Sequence, residues 1–195
     1  MKYILGLTGP TGSGKSTLCK AAEEIGWYVI NCDLLARNAT ENPEVVKKLT
    51  DAFGIDILDE NGRLVRKELA QKAFSSKENT KLLNKTILPY IVDLIKQKIN
   101  ESSSDKIILD APTLYESGAD SLCDAVCAVL GNRKTRLARI MSRDNIDEKS
   151  ARLRMSAGKP DRYYKERTPH IICNNADEAD AVDAFEKLLT KLGGN

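Results

Sequence analysis

Eight residues, Gly9-Pro10-Thr11-Gly12-Ser13-Gly14-Lys15-Ser16, fill the pattern GxxxxGK[ST]. The chemistry open to them is the binding of a phosphate chain. Glycines let the backbone curl round an anion with its N–H groups inward, because no Cβ blocks the approach. A helix opening at the end of the loop adds unpaired N–H donors and the positive end of its dipole. Lys15 brings a full charge to the β- and γ-phosphates, and the Ser16 hydroxyl can ligate Mg2+. Gly12, Ser13, Gly14, Lys15, Ser16 and Thr17 are therefore the candidate nucleotide-binding residues. A glycine-rich turn that merely contains a lysine would look the same in isolation. Its surroundings decide against that. The apolar run Tyr3-Ile4-Leu5-Gly6-Leu7 precedes the loop and a helical pattern from Thr17 to Ala22 follows it, which is the strand–loop–helix order that such loops require.

Two acids further along end apolar runs. Trp27-Tyr28-Val29-Ile30 reads as a second strand, and Asp33 lies just beyond it. In an open α/β sheet ligands bind past the carboxyl ends of the strands, so Ser16 and Asp33 can share one neighbourhood. Asp33 is a candidate general base or metal ligand. The competing role is N-cap of a helix over Leu34-Leu35-Ala36-Arg37, and spacing alone leaves these open. Lys106-Ile107-Ile108-Leu109-Asp110 has the shape of a Walker B element, whose acid positions Mg2+ directly or through water. Many strands end on an acid for capping alone; the phosphate-binding loop upstream favours the metal role for Asp110. Glu116, in the irregular stretch from Pro112 to Gly118, is either functional or a solvated charge. Between Arg133 and Lys159 basic residues collect, with Arg136, Arg139 and Arg143 on one helix face. Such runs are usually solvated surface. Beside a phosphate-binding loop the alternative is a mobile lid, whose arginines close over a triphosphate and stabilise charge on the transferred group.

The elements that must position these groups alternate strand and helix. The first helix runs to about Ile25, before Gly26. From Asn42 to Asn100 the chain is mostly helical. Pro43 opens a pattern through Val45, Val46, Leu49 and Phe53 that stops at Gly54; Asp56 to Gly62 is rich in turn residues; Arg66 to Phe74 is amphipathic. Helical character returns over Lys77–Lys85 and Leu88–Ile99, divided near Pro89, which fits only near a helix start. These make roughly four helices, more than a crossover between strands needs. They read as an insertion over the sheet's carboxyl edge, where a second substrate would bind. Ala125–Leu130 is a fourth strand, His170 to Asn175 a fifth strand with its exit, and Asp177–Leu192 a last amphipathic helix.

The whole chain bounds these readings. With 195 residues, 42% hydrophobic and 30% charged, it has the size and composition of one globular domain with a sizeable core. A net charge of +2 argues for neither nucleic acid nor membrane as partner. Cys19, Cys32, Cys123, Cys127 and Cys173 form no C-x-x-C pair, and His170 is the only histidine, so zinc is not expected. Buried apolar thiols in a reducing compartment are the expectation. The first apolar run ends at Thr8-Gly9 without a signal-peptide pattern, no stretch is long and apolar enough to span a bilayer, and a cytoplasmic location is expected. Repeats and low-complexity segments are absent from the sequence.

Taken together, these residues resemble the dephospho-CoA kinase family over nearly the whole chain. The resemblance is carried by Gly6-Leu7-Thr8-Gly9 leading into Gly12-Ser13-Gly14-Lys15-Ser16-Thr17, by Asp33 with Ala36-Arg37, and by Phe53-Gly54-Ile55-Asp56-Ile57-Leu58 with Gly62-x-Leu64-x-Arg66. It continues in Asp110-Ala111-Pro112-x-Leu114-x-Glu116-x-Gly118, Arg139-x-x-x-Arg143-Asp144, Ala151-x-x-Arg154 and Asn174. It implies an α/β fold, a P-loop NTPase of the nucleoside-monophosphate-kinase type: a five-stranded parallel sheet flanked by helices, with a helical CoA domain and a lid. Residues 1–33 and 105–195 would form the nucleotide-binding core, 34–104 the helical acceptor-binding insertion and 136–158 the lid. The implied reaction moves the γ-phosphate of ATP to the 3′-hydroxyl of dephospho-CoA, the final step of coenzyme A synthesis, with ATP and Mg2+ as cofactors and a monomer or weak homo-oligomer as the state. Asp33 matches the general base, Arg139 and Arg143 match lid arginines, and Asn174 lies where the adenine is held.

Departures from the family pattern are Asn31 for a second acid, Val65 for an acid before Arg66, Leu88 for a histidine before Pro89, Gly158 for a glutamine and Cys173 for an acid before Asn174. They cluster in acceptor-contacting and lid regions. A different small-acceptor P-loop kinase would differ only in the helical insertion. A nucleotide-dependent switch should carry N-K-x-D, and Asn84-Lys85-Thr86-Ile87 breaks that pattern at its last place.

Overall fold

A computed structural model of the chain describes residues 2–175 and 178–193. The chain divides into two compact units, Met1–Ile30 with Ser102–Asn195 and, inserted between them in sequence, Asn31–Glu101.

The first unit is built on β1 (Tyr3–Thr8), β3 (Lys106–Asp110), β4 (Ala125–Leu130) and β5 (His170–Cys173); β2 (Tyr28–Asn31) completes a five-stranded sheet in the order β2-β3-β1-β4-β5. The strands are parallel, with Leu7 opposite Asp110 and Thr8 opposite Ala128. Side chains alternate between faces along a strand. Leu5 and Leu7 of β1, Cys127 and Val129 of β4 and Ile172 of β5 therefore share one face. There they bury against Leu18 and Ala22 of α1 (Lys15–Glu24) and against Ala181, Phe185 and Leu189 of α10 (Glu178–Leu192). Asp177, the expected first residue of that last helix, lies outside the described residues. On the opposite face Ala128 and Leu130 pack with Tyr164 of α9 (Asp161–Lys165), beside Tyr115 of α6 (Leu114–Ser117). Between β4 and β5 come also α7 (Arg133–Asp144) and α8 (Glu148–Ser156). The second strand is displaced by one residue from the apolar run, Tyr28–Asn31 rather than Trp27–Ile30. Trp27 instead turns into the core, 4% exposed, with its ring edge-to-face with Tyr3.

The second unit is helical: α2 (Cys32–Ala39), α3 (Pro43–Phe53), α4 (Arg66–Ala73) and α5 (Lys77–Glu101). Asn42 accepts a hydrogen bond from the Glu44 N–H at 2.8 Å and caps α3, with Pro43 in its first turn. Between α3 and α4 a short 3-10 turn (Ile55–Ile57) leads into a tight turn whose arms meet at Leu58 and Leu64.

One expectation fails here. Pro89 does not divide two helices; a single 25-residue helix runs through it. A proline inside a helix costs about 3 kcal/mol, partly because the carbonyl four residues back loses its donor. That carbonyl belongs to Lys85, and both Lys85 and Pro89 are on the exposed side. Water can replace the missing N–H there. On the other side Ile87, Ile91, Ile95 and Ile99 recur every four residues and are all buried. Burying each isoleucine is worth about 1.5–3 kcal/mol, so the stripe outweighs the proline.

Candidate active site

The phosphate-binding loop joins β1 to α1, and its shape is fixed from behind. The Ser13 N–H donates to the Pro10 carbonyl at 3.2 Å and tightens the turn, while the Lys15 ammonium donates to the Gly9 carbonyl at 3.0 Å. Gly14 has φ +92, and a Cβ there would lie 2.3 Å from Asn174 Nδ2, so neither its backbone nor its surroundings admit a side chain. Lys15 and Ser16 then open α1, with Ser16 exposed at its N-terminus. These are the conditions under which backbone N–H groups and a helix dipole bind anions.

Two arginines of α7 hold this loop. Arg139 Nη1 donates to the Asn174 carbonyl at 3.1 Å and reaches the Ser13 carbonyl at 3.4 Å; Nη2 donates to Asn174 Oδ1 at 2.7 Å and stands 3.5 Å from Glu178. Arg136 is only 7% exposed and donates from Nε to the Thr11 carbonyl at 3.0 Å. Of the three arginines on one predicted face, only Arg143 is at the surface. It pairs with Asp144 at 2.8 Å, and Arg154 of α8 pairs with the same carboxylate. The hydrogen bond from Arg143, reinforced by the Arg154 charge, holds Asp144 below its ordinary value. Asn174 is fully buried. It links β5 to β4 through its N–H and the Leu130 carbonyl (2.7 Å), and its side-chain oxygen is taken by Arg139. Its side-chain oxygen is thus taken by Arg139, while its amide nitrogen packs against Gly14 without a hydrogen-bond partner among the described residues.

Asp110 ends β3. Its register partner is Leu7, so its side chain lies on the face covered by α1. The Cys19 thiol of α1 donates a hydrogen bond to it. Burial, then the Asp110 charge, raise the pKa of that thiol, and Lys15 acts in the opposite sense. Lys15 and Asp110 therefore both act on Cys19, which joins the loop to β3. Cys19 is the buried core thiol that composition leads one to expect, and its link to Lys15 and Asp110 is additional. The available signal was its position four residues after Lys15, on the same helix face.

Beyond β3, Tyr115, Tyr163 and Tyr164 stack edge to face, and the Arg167 guanidinium sits 3.8 Å from the centre of the Tyr163 ring. Burial pushes the Tyr115 hydroxyl up to about 12, and burial followed by the Glu116 charge does the same for Tyr164. Glu116 also hydrogen-bonds Tyr163, so it has protein partners in this cluster.

In the helical unit, Asp33 is exposed in the first turn of α2. The cap is not Asp33 but Asn31, whose side-chain oxygen accepts from the Leu34 N–H at 2.9 Å. Asparagine serves as well as aspartate at an N-cap, which gives the departure at Asn31 a local structural role. Arg37 follows Asp33 by one turn of the same helix. Past the end of α2 a groove of about 840 Å3 is lined by Thr40, Glu41, Val46, Leu58, Arg63 and Arg66 among others. Arg66 closes one wall by donating to Glu41 at 3.0 Å and to the Arg37 carbonyl at 3.3 Å.

Mg2+ takes hard oxygen donors and usually keeps several waters besides one or two protein ligands and phosphate oxygens. The Ser16 hydroxyl at the exposed start of α1 and the carboxylate at the end of β3 fit that donor set. No cluster of three or more His, Cys, Asp or Glu side chains able to hold a metal occurs among the described residues. Nor, among them, is any helix long and apolar enough to cross a membrane.

Comparison with known proteins gives a consistent result. The family model described as dephospho-CoA kinase matches residues 3–180. A dephospho-CoA kinase of Fusobacterium nucleatum subsp. nucleatum is 34% identical over 190 residues, covering 97% of this chain and 98% of that one. One of Oryza sativa subsp. japonica is 33% identical over 193 residues, covering 97% and 84%. Among solved structures, a Thermus thermophilus protein superposes with a TM-score of 0.85 at 27% identity, over 99% of both chains. Dephospho-CoA kinase from Campylobacter jejuni does so with 0.71 at 26% identity over both full chains.

Proposed function

The chain belongs to the dephospho-CoA kinase family, and from that premise we propose how its own residues divide the reaction. The enzyme is a phosphotransferase with an alcohol as acceptor: it phosphorylates the 3′-hydroxyl of dephospho-CoA with ATP to give coenzyme A and ADP in coenzyme A biosynthesis. Phosphoryl transfer asks a protein for positioning and charge more than for covalent chemistry. Gly12, Gly14 and Ser16 offer backbone N–H groups to the phosphates, while Ser13 and Thr17, whose N–H groups hold the Pro10 and Gly14 carbonyls, shape the loop around them. Lys15 leaves the Gly9 carbonyl to neutralise charge building on the transferred group. Ser16 and Asp110 would hold Mg2+, which when bound would neutralise phosphate charge. Asp33 accepts the proton of the acceptor hydroxyl. The observation that carries this role is that Asn31 already caps α2, so the exposed Asp33 carboxylate is not needed there.

Residues 34–104 act as the acceptor-binding insertion, and α2 supports this as a ruler. Arg37 stands one turn beyond Asp33, and Thr40, on the groove wall, about 11 Å beyond it at 1.5 Å per residue. A hydroxyl at Asp33 would leave the diphosphate of dephospho-CoA near Arg37 and its extended arm in the 840 Å3 groove, which combines apolar Val46 and Leu58 with Arg63 and Arg66. Within residues 136–158, the lid, Arg143 is the group that closes on the phosphates, and Arg136 and Arg139 are its fixed root against the loop; Asn174 serves nucleotide binding from its place beside Gly14. The enzyme works in the cytoplasm as a monomer or weak homo-oligomer.

The test is ADP release with and without dephospho-CoA. Wild-type release should depend on the acceptor, and Lys15→Ala should nearly abolish it while the melting temperature stays close to wild type. Acceptor-independent release, or a Lys15→Ala enzyme of near-normal rate, would remove the assignment.

A further inference from the structure

A phosphate-binding loop that turns its N–H groups inward must turn its carbonyls outward, and those carbonyls need donors of their own. Here the Gly9 carbonyl accepts from Lys15, Pro10 from the Ser13 N–H, and Ser13 lies within reach of Arg139. The Thr11 carbonyl accepts from Arg136 Nε at 3.0 Å. Arg136 thus serves the apex of the loop. The approach is close: a Cβ on Gly12 would lie 2.8 Å from the Arg136 carbonyl and 3.0 Å from Ile140 Cγ1. The first turns of α7 form the bed on which the loop rests.

Arg136 is also an expensive residue to keep. Its side chain is 9% exposed, and among the described residues it pairs with Asp161 of α9, at 3.5 Å from Nη1. Burial lowers its pKa from the ordinary value and the Asp161 charge opposes that. Burying a cation is costly unless it is paired and hydrogen-bonded, and Arg136 is held by both Asp161 and the Thr11 carbonyl. A helix that needed only to pack would carry an apolar side chain there.

We propose that Arg136 is a positioning residue for the phosphate-binding loop: by holding the Thr11 carbonyl outward it keeps the loop in its phosphate-ready shape before nucleotide arrives. It touches no reacting atom in this role. Its loss costs ATP binding rather than the chemical step, because the loop must be reshaped at the expense of binding energy. This rests on the loop being the ATP site. The acceptor's KM and the rate at saturating ATP therefore serve as internal controls that fail differently if that reading is wrong.

The experiment compares Arg136→Gln with Arg136→Met by ATP titration calorimetry, KM for each substrate, kcat and thermal melts. Gln keeps a side-chain N–H for the Thr11 carbonyl and discards the charge; Met has similar length and no donor. Arg136→Met should bind ATP about tenfold more weakly or worse, the effect of losing a hydrogen bond from a charged donor. The KM for dephospho-CoA and kcat at saturating ATP should stay within about threefold, as for a loss of uniform binding. Arg136→Gln should recover most of the ATP affinity. A purely structural arginine would lower the melting temperature in both variants without this split. Wild-type ATP affinity in Arg136→Met overturns the proposal, as do equal losses in the Gln and Met variants or equal losses for the two substrates. Failure of Wild-type protein itself to bind ATP would instead overturn the ATP-site reading. If Arg136→Met does not fold, Arg136→Leu replaces it, and if neither folds, Arg136 belongs to the core and the proposal falls.

Discussion

Replacing Asp33 with asparagine separates its two candidate roles in one substitution of almost unchanged size. The stability side follows from α2. Asn31 supplies the cap, through its 2.9 Å bond with the Leu34 N–H, and it is untouched. What disappears is one carboxylate charge in the first turn of an eight-residue helix, on an exposed residue. A surface charge at a helix N-terminus is worth about 0.3–1 kcal/mol. For a protein of this size 1 kcal/mol moves the melting temperature by about 2–4 °C. The catalytic side is larger. General-base help is worth about 10² to 10⁴ in rate, or roughly 3 to 5 kcal/mol of barrier. The expected result is a melt within a few degrees of wild type and a kcat at least about a hundredfold lower at saturating ATP and dephospho-CoA. Initial rates of ADP release beside a thermal melt measure both. A rate within a few-fold of wild type would refute the general-base role and leave Asp33 as a dipole charge or an outer metal ligand.

The arginines of α7 should differ from one another: Arg139→Ala should raise the KM for ATP and lower the melting temperature, since it frees Asn174 and the Ser13 carbonyl, while Arg143→Ala should lower kcat more than it raises KM, and steady-state kinetics on both variants would expose the opposite pattern. Asp144 provides a pH test. Its native pKa lies below the ordinary 3.8, so its pairing with Arg143 and Arg154 stabilises fully above 3.8 and is lost as pH falls through the lower native value. Asp144→Asn should therefore flatten part of the acid limb of melting temperature against pH, and an unchanged limb would contradict the pairing.

The sequence by itself was enough for everything local. Gly9 to Ser16 declare a phosphate-binding loop because glycines, lysine and serine act within one turn of backbone, and the apolar runs on either side need no distant partner to be read. The buried strands β1, β3 and β4 were legible for the same reason, and Pro43 and Gly54 marked both ends of α3. Other features depend on partners far along the chain, and only the tertiary structure decided them. Whether Asp33 or Asn31 caps α2 turned on where β2 ends, a boundary shift of one residue that composition does not register, and β2 takes its place in the sheet beside β3, about seventy-five residues further on. Pro89 stays inside a helix because four buried isoleucines outweigh one missing bond on the exposed side. Arg136, Arg139 and Arg143 share spacing and charge, yet one is buried under Thr11, one holds Asn174 and one faces water. Periodicity fixes which residues share a helix face, but only packing against the loop fixes which of them meets a carbonyl and which meets solvent.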